Sequence, residues 1–186
     1  MRVVLTGAAG FLGSHLADRL IHEGHEVIGL DNFVTGDEAN IAHLRSSGSF
    51  QLIRQDVSTF IDIPEDLDYV LHFASPASPN PASPFGYPNL PIQTLKAGAL
   101  GTLNTLGLAK AHKARYLLAS TSEVYGTARF VPITEEHPLQ GQSPYSASKI
   151  GADQIAMSFY LSFNTPVSIV RPFNTYGPRQ SARAVI

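Results

Sequence analysis

Three segments of this chain carry residue types whose spacing suits redox chemistry on a dinucleotide. They are Gly7-Ala-Ala-Gly10-Phe-Leu-Gly13, Ser120-Thr121-Ser122-Glu123 and Tyr145-Ser-Ala-Ser-Lys149. Glycines at this spacing let a backbone approach phosphates closely, and a tyrosine near a lysine can act as an acid or a base. The sequence therefore predicts a nicotinamide dinucleotide beside a tyrosine-centred acid/base group.

Gly7, Gly10 and Gly13 are predicted to form a phosphate-binding turn. They follow an apolar run and open a helical pattern, so the helix N-terminus would present unpaired amides to a pyrophosphate. Asp31 ends the second apolar run, where its carboxylate would accept hydrogen bonds from the adenosine ribose and repel a 2′-phosphate. NAD is therefore predicted over NADP. The alternative role for Asp31 is a turn cap with Asn32.

Tyr145 and Lys149 lie four residues apart after Pro144, so on a helix both project from one face. The ammonium would then lower the pKa of the phenol and let the tyrosinate take a proton as hydride leaves the same carbon. Thr121, at the end of a neighbouring strand, would hydrogen-bond the same substrate oxygen. The alternative is a surface pair of tyrosine and lysine with no catalytic role.

The elements that must hold these groups alternate between apolar runs of strand length and longer stretches of helical period. This alternation predicts an α/β fold, a doubly wound parallel sheet of the Rossmann type with helices on both faces. The predicted strands are 3–6, 26–30, 50–54, 69–73, 115–119 and 166–170. The predicted helices are 12–22, 38–46, 92–111 and 145–163.

Two irregular stretches follow strands at the carboxyl edge, where open α/β sheets bind ligands. Residues 76–91 hold six of the thirteen prolines, which excludes a helix and predicts a stiff loop. Residues 126–143 follow the fifth strand on the same edge. We expect the first stretch to form a wall of the cofactor or substrate site, the alternative being a connection without such a role.

Composition favours one globular domain. Of the 186 residues, 44% are hydrophobic and 15% are charged, and the net charge is −2 with no run of lysine or arginine. Nucleic acid is therefore not expected as a partner, and no apolar run reaches the length of a membrane span. The scattered histidines and the absence of cysteine predict no metal site. With no cysteine and no cleavable leader, the cytoplasm is the expected location.

Taken together, these motifs resemble the extended short-chain dehydrogenase/reductase family, in particular its branch of NAD-dependent nucleotide-sugar epimerases and dehydratases. The resemblance covers all 186 residues and is also carried by Asp31-Asn32-Phe33, by Val124-Tyr125-Gly126 and by residues 171–178. It implies a nucleotide-sugar substrate whose C4 hydroxyl is held by Thr121 and Tyr145. It further implies that Lys149 holds the nicotinamide ribose and that C4 is oxidised and later reduced again.

The motifs and the resemblance together give the full set of expected site residues. Those expected to bind the cofactor are Gly7, Gly10, Phe11, Leu12, Gly13, Asp31, Asn32, Phe33, Thr35, Gly36, Asp56, Val57, Phe73, Ala74, Ser75, Lys96, Tyr145, Lys149 and Pro172. Those expected to contact the substrate are Ser75, Pro76, Ser122, Asn174 and Arg179. The expected catalytic group is Thr121, Glu123, Tyr145 and Lys149.

Two reactions of the branch compete. Residues 72–79 and 89–96 resemble UDP-glucuronate decarboxylases, which make UDP-xylose, whereas residues 127–186 are more similar to nucleotide-sugar 4,6-dehydratases. Decarboxylation needs only C4 oxidation, because the resulting β-keto acid loses CO2 readily. Dehydration also needs a base at C5, a role open to Glu123, and an acid at the C6 hydroxyl, for which Ser122 is a poor proton donor. Some dehydratases share this serine. The sequence favours decarboxylation, with dehydration as the alternative.

Two features depart from the family pattern. Gly98 stands where most members have an asparagine that supports the tyrosine. The family also continues into a smaller substrate domain, which is expected to be absent or truncated here, leaving residues 1–186 as the NAD-binding domain. A third functional alternative is therefore a fragment that binds NAD without converting a sugar.

Oligomerisation is expected through two helices that are rich in small residues, 92–111 and 145–163. Related enzymes pair these helices in a homodimer. The alternative is that the small residues pack only against their own sheet.

Overall fold

Six strands form one sheet in which every pairing is parallel. The computed structural model describes residues 1–181. The strands are β1 (Arg2–Thr6), β2 (Glu26–Asp31), β3 (Phe50–Arg54), β4 (Tyr69–His72), β5 (Arg115–Ala119) and β6 (Val167–Val170), in the spatial order β3-β2-β1-β4-β5-β6. The strand order reverses between β1 and β4, and the crevice at their carboxyl ends is where such sheets bind ligands. All six predicted strands are confirmed, with ends that differ by at most one residue.

Four α-helices cover the two faces of the sheet. They are α1 (Phe11–His22), α2 (Pro91–Lys96), α3 (Thr102–Ala111) and α4 (Pro144–Phe163). Helices 12–22 and 145–163 are confirmed, each with one more residue at its start. None of the helices within residues 1–181 is long and apolar enough to cross a membrane.

The start of α4 is defined by local chemistry. Ser143 and Ser146 form a capping box, in which the Ser143 hydroxyl accepts from the Ser146 amide at 3.0 Å and the Ser146 hydroxyl accepts from the Ser143 amide at 2.9 Å. Pro144 occupies the first turn, where a missing N–H costs nothing. Sequence therefore fixes the point from which Tyr145 and Lys149 project.

The predicted helix 92–111 is present but interrupted. A π-helical turn, Ala97–Gly101, separates α2 from α3. Gly98 and Gly101 lie in it, and a Cβ atom at Gly98 would be 2.6 Å from the Cβ atom of Ser148 on α4. A Cβ atom at Gly101 would be 2.8 Å from Val57. The π-helical turn therefore lies where the backbone packs closely on α4, at Gly98, and on the segment after β3, at Gly101.

The predicted helix 38–46 is wrong. The segment forms two short 3-10 turns, Glu38–Asn40 and Ala42–Leu44, separated by Ile41 with φ −125°. Ile41 and Leu44 are both buried in the cluster on one face of β1 and β2. Serines and a glycine follow at 46–48, which favour a turn over a further helical turn. Two buried apolar residues thus gave the segment a helical period without a helix.

The core consists of two apolar clusters, one on each face of the sheet. Val4 of β1 belongs to the cluster beneath α3 and α4, and the adjacent Leu5 belongs to the cluster beneath α1. Because both faces are covered, the central strands are apolar throughout rather than alternating.

Residues 76–90, between β4 and α2, contain no regular helix or strand, as predicted. This proline-rich loop is held by its own hydrogen bonds. The Asn89 side chain donates to the carbonyls of Pro81 and Ser83, both at 2.8 Å, and the Tyr87 amide donates to the Ser78 carbonyl at 2.9 Å. The loop therefore has a defined shape at the carboxyl edge of the sheet.

Candidate active site

A single cleft of about 1290 Å³ runs along the carboxyl edge of the sheet. Every residue that the sequence suggested for the cofactor, the substrate or catalysis lines this cleft. Asn40, Arg54 and Gln55 also line it, although the sequence motifs did not indicate them. The three predicted segments are thus brought together by the fold.

The glycine turn leaves the backbone bare at one end of the cleft. Gly7 has φ +72°, and a Cβ atom there would be 2.9 Å from the amide nitrogen of Ala74 at the end of β4. A Cβ atom at Gly13 would be 2.0 Å from the Gly7 carbonyl oxygen. Gly10 is the N-cap of α1 and offers no capping side chain, so the first amides of the helix are open to a ligand. This cradle fits a pyrophosphate.

Thr6 and His72 fix the crevice between β1 and β4. The Thr6 hydroxyl accepts from the amides of Phe73 and Ala74, both at 3.1 Å, so its proton is left to donate to Nδ1 of His72 at 2.7 Å. The imidazole is therefore neutral, with its proton on Nε2, and it lies beside the backbone of Ala97 in the π-helical turn. Burial lowers the pKa of His72 to about 3, and the charge of Lys149 adds to this.

Asp31 both caps a turn and lines the cleft. Its carboxylate accepts from the amides of Ala9 at 2.9 Å and Phe33 at 2.8 Å. Burial raises the pKa of Asp31, although these hydrogen bonds oppose the effect. A Cβ atom at Gly36 would be 3.0 Å from both carboxylate oxygens. A carboxylate has about four acceptor sites, so the cap leaves capacity for ribose hydroxyls.

The cleft also contains a second acidic side chain, Asp56, and an aromatic one, Phe33. Asn32 donates to Asp56 at 3.1 Å. Burial alone would raise the pKa of Asp56, but hydrogen bonds from Ser58 and Asn32 and the charge of Lys96 hold it below its usual value. The guanidinium of Arg54 lies 5.4 Å from the centroid of the Phe33 ring, which stabilises both side chains.

Thr121, Tyr145 and Lys149 meet beyond the carboxyl end of β5. Thr121 is the N-cap of a 3-10 turn (Ser122–Tyr125), accepts from the Glu123 amide at 3.2 Å, and lies close enough to the Tyr145 hydroxyl to favour its ionised form. The ammonium of Lys149 lies 5.8 Å from the centroid of the Tyr145 ring and donates to the Ala119 carbonyl at 2.7 Å. The surface pair considered as an alternative is excluded, because both side chains are buried.

The expected lowering of the Tyr145 pKa is wrong. Burial raises the pKa of Tyr145 to about 12, and the hydrogen bond from Thr121 only partly opposes this. Burial also lowers the pKa of Lys149 to about 8, against the charge of Asp153. Desolvation sets the direction of both shifts, and the Lys149 ammonium donates to Ala119.

Glu123 and Arg179 occupy the cleft in different ways. Much of the Glu123 side chain is exposed to solvent. The part that is covered by neighbouring residues raises the pKa of its carboxyl group. Arg179 lines the cleft while its guanidinium forms an ion pair with Asp18 of α1 at 2.7 Å. Its charge is therefore already paired within the chain.

A polar group that the sequence motifs did not predict packs against α4, the helix that carries Tyr145 and Lys149. Arg171 forms two hydrogen bonds to one carboxylate oxygen of Asp153, at 3.0 and 2.9 Å, and a third to the Tyr125 hydroxyl at 2.9 Å. Asp153 follows Lys149 by one helical turn. The four-residue spacing from Lys149 and the charge of Asp153 were the available signals. Within residues 1–181, no group of three or more histidine or acidic side chains could hold a metal ion.

A parallel sheet in this order, with a bare glycine turn at its switch point and a threonine, tyrosine and lysine beside it, defines a dinucleotide-binding domain of the short-chain dehydrogenase type. The chain belongs to the GDP-mannose 4,6 dehydratase family, whose model matches residues 4–186.

Relatives of this chain carry the name of a different reaction from that of the family model. The chain is 46% identical to UDP-glucuronic acid decarboxylase 1 of Arabidopsis thaliana over 184 residues, which are 96% of the chain and 41% of the relative. It is 43% identical to the decarboxylase 1 of Xenopus tropicalis, covering 96% of the chain and 42% of the relative. The chain thus spans about two fifths of the length of these relatives.

Solved structures with the same fold include enzymes with bound NAD. The dTDP-glucose 4,6-dehydratase DesIV from Streptomyces venezuelae matches with a TM-score of 0.88 and 29% identity over 100% of this chain and 60% of that one. The UDP-glucuronic acid 4-epimerase from Bacillus cereus, solved with UDP-glucuronic acid and NAD, matches with a TM-score of 0.82 and 28% identity over 97% and 59% of the two chains. The predicted Rossmann fold is confirmed.

Proposed function

We propose that the chain is the NAD-binding part of an enzyme that decarboxylates UDP-glucuronate to UDP-xylose through a 4-keto intermediate. The observation that carries the proposal is the cleft, on which the bare glycine turn and the buried group of Thr121, Tyr145 and Lys149 both open. The choice of reaction is supported by identity to UDP-glucuronic acid decarboxylases along almost the whole chain.

The residues fit NAD. The turn from Gly7 to Gly13 would hold the pyrophosphate, Asp31 the adenosine ribose, and Lys149 the nicotinamide ribose. When bound, NAD supplies a positively charged hydride acceptor that later returns the hydride to the sugar. The carboxylate of Asp31 would repel a 2′-phosphate, which supports NAD over NADP.

Tyr145 and Thr121 would act on the C4 hydroxyl of the sugar. Thr121 holds the oxygen, and the ionised form of Tyr145 takes the hydroxyl proton as hydride leaves C4, which becomes a ketone. Because the pKa of Tyr145 is raised to about 12, this ionised form is a small fraction of the protein at neutral pH. The ketone lies β to the carboxylate, so the bond to CO2 breaks and its electron pair forms an enolate. Water then protonates the enolate on carbon, and Tyr145 returns its proton to the C4 oxygen when C4 is reduced. The raised pKa of Tyr145 suits this last step.

The test is the mass of the product after the purified chain is incubated with NAD and a mixture of UDP-glucuronate and UDP-N-acetylglucosamine. Loss of CO2 is expected. The Tyr145→Phe variant, which keeps the ring but has no proton to exchange, should give no product while still binding NAD in calorimetry. If neither sugar changes, decarboxylation by this chain is excluded, and the alternative of a chain that binds NAD without sugar conversion replaces it.

Dehydration is the second candidate, and the position of Glu123 favours it. The Glu123 carboxyl lies in the cleft close enough to Tyr145 for its charge to raise the pKa of that phenol, where it could serve as the base at C5. Loss of water in the same experiment would select this reaction. Glu123→Gln would then abolish product formation but leave the first oxidation of C4, measured as transient NADH absorbance.

We also propose that the chain forms a homodimer and acts in the cytoplasm. Exposed apolar side chains on α2, α3 and α4 support the dimer. They are Ile92, Leu95, Leu103, Met157, Tyr160 and Leu161. The cytoplasmic location is supported by composition, because the 186 residues include no cysteine and disulfides are typical of oxidising compartments.

A further inference from the structure

A second tyrosine lies flat against the catalytic one. Tyr87, in the proline-rich loop, stacks on Tyr145 with ring centroids 5.4 Å apart and ring planes 9° apart. Its side chain is buried, with 9% of its surface exposed. Tyr145 lines the cleft and Tyr87 does not. Parallel stacking of this kind fixes the plane of both rings.

The hydroxyl of Tyr87 reaches a second functional point. It lies close enough to Ser143, the N-cap of α4, and to the carboxyl of Glu123 for both groups to act on its pKa. One side chain therefore stacks on the ring of Tyr145 and reaches the residue that caps the helix carrying that ring. Neighbours at both ends of the side chain leave the ring of Tyr87 little freedom to rotate.

The backbone of the loop is built to hold Tyr87 in this place. The Tyr87 amide donates to the Ser78 carbonyl at 2.9 Å. A Cβ atom at the preceding Gly86 would be 2.3 Å from the Asn80 carbonyl oxygen, so only glycine allows the chain to pass here. Residues 75–79 of the same loop line the cleft. The wall of the site and the support of Tyr145 thus belong to one hydrogen-bonded segment.

We propose that Tyr87 is a positioning residue for catalysis, which holds the ring of Tyr145 in the orientation that faces Thr121 and joins the proline-rich loop to the start of α4. The inference rests on the proposed role of Tyr145. It assigns the loop a task that a simple wall of the cleft would not have, since the Tyr87 ring supports the Tyr145 ring by stacking and its hydroxyl lies beside the N-cap of α4.

The test compares Tyr87→Leu and Tyr87→Phe in the full chain, with Phe85→Leu as a control in the same loop. Tyr87→Leu should lower kcat by about tenfold or more with little change in KM, because a misplaced acid/base group slows chemistry rather than binding. It should also move the rising limb of the pH profile to lower pH, since water that reaches Tyr145 relieves its burial. Tyr87→Phe keeps the stack and should restore both kcat and the pH profile, with only a lower midpoint of thermal unfolding.

An unchanged kcat and pH profile in Tyr87→Leu would overturn the proposal, as would an equal loss in Phe85→Leu. If the leucine variant does not fold, Tyr87→Met takes its place. If the wild-type chain converts no sugar, decarboxylation fails but the support of Tyr145 is still measurable. The difference in tyrosinate absorbance between each protein and its Tyr145→Phe counterpart should then show that Tyr145 ionises at lower pH in Tyr87→Leu. The same ionisation pH in both proteins would refute it.

Discussion

Lys149 is the residue at which function and stability oppose each other. Its side chain is 3% exposed, and the ammonium donates to a single carbonyl, that of Ala119. Burial holds its pKa at about 8, so the folded chain carries a desolvated charge at neutral pH. A methionine of similar length would fill the same space without that cost. Packing therefore does not explain a lysine at this position, whereas the role proposed for Lys149 in the cleft does.

Replacing this lysine should stabilise the fold and remove activity. We expect Lys149→Met to raise the free energy of unfolding by about 1–3 kcal/mol at neutral pH. The folded wild type loses the Lys149 proton near pH 8, and the unfolded chain loses it only near pH 10.5. The wild type therefore gains stability as the pH rises between these values. The stability difference between Lys149→Met and the wild type shrinks over the same range. Urea unfolding at about pH 7 and about pH 10 measures both effects.

The exposed Lys110 provides the control for this prediction. Lys110→Met should follow the pH dependence of the wild type, because its side chain is not buried. A Lys149→Met protein that is no more stable than the wild type at neutral pH would show that the buried ammonium carries no such cost.

At the scale of elements, the strands and helices that nearby residues determine could be predicted from the sequence. All six strands and α1 and α4 follow from apolar runs and caps close in the chain. The π-helical turn was missed, because it depends on the approach of Gly98 to Ser148, which is fifty residues away. The short turns at 38–44 were missed because burial of two side chains imitates a helical period.

The same distinction applies to the site. The residues placed in the cleft by motif all line it, since each motif is contiguous and ends a strand or starts a helix. Tyr87, His72 and Arg54 were not identified, because each acts through a partner distant in sequence. The spacing of Asp153 after Lys149 was visible, but its partner Arg171 was not.

The packing of the π-helical turn gives a test at this scale. Gly98→Ala should lower the free energy of unfolding by about 1–3 kcal/mol, because the added methyl meets the backbone and Cβ of Ser148 in a rigid helix. Gly107→Ala, in α3, is the matched control, since a Cβ atom there meets nothing within 4 Å. It should raise stability by about 0.5–1 kcal/mol, as alanine does inside a helix. Equal effects of the two variants would contradict the packing account.

At the scale of the whole molecule, the apolar face of α2, α3 and α4 is where a second copy is expected to bind. We expect the chain to sediment as a dimer and Leu103→Glu to shift it to a monomer, because the charge would be desolvated in the interface. Val131→Glu, in the loop after β5 and 80% exposed, is the control and should leave the dimer unchanged. A wild-type chain that sediments as a monomer at micromolar concentration would exclude this interface.

His72 connects the two halves of the molecule and should govern its stability in acid. The imidazole lies between the β1–β4 crevice and the π-helical turn, beside Thr6 and Ala97, and the hydrogen bond that its Nδ1 accepts from Thr6 requires the neutral ring. The unfolded chain binds a proton near pH 6.5 and the folded chain only near pH 3, so the stabilisation is complete above 6.5 and is lost as pH falls towards 3. The slope approaches about 1.4 kcal/mol per pH unit for one proton.

A variant without a titratable group at this position should lose that slope. His72→Gln is expected to be less stable than the wild type at neutral pH. Its free energy of unfolding should change less between about pH 7 and pH 5. This range lies above the ordinary pKa of the acidic side chains. His22→Gln, at an exposed position in α1, should retain the wild-type slope. Urea unfolding at each pH gives the comparison. If His72→Gln and the wild type lose stability in parallel, the acid sensitivity arises elsewhere, and the neutral imidazole is not the link between the crevice and the turn.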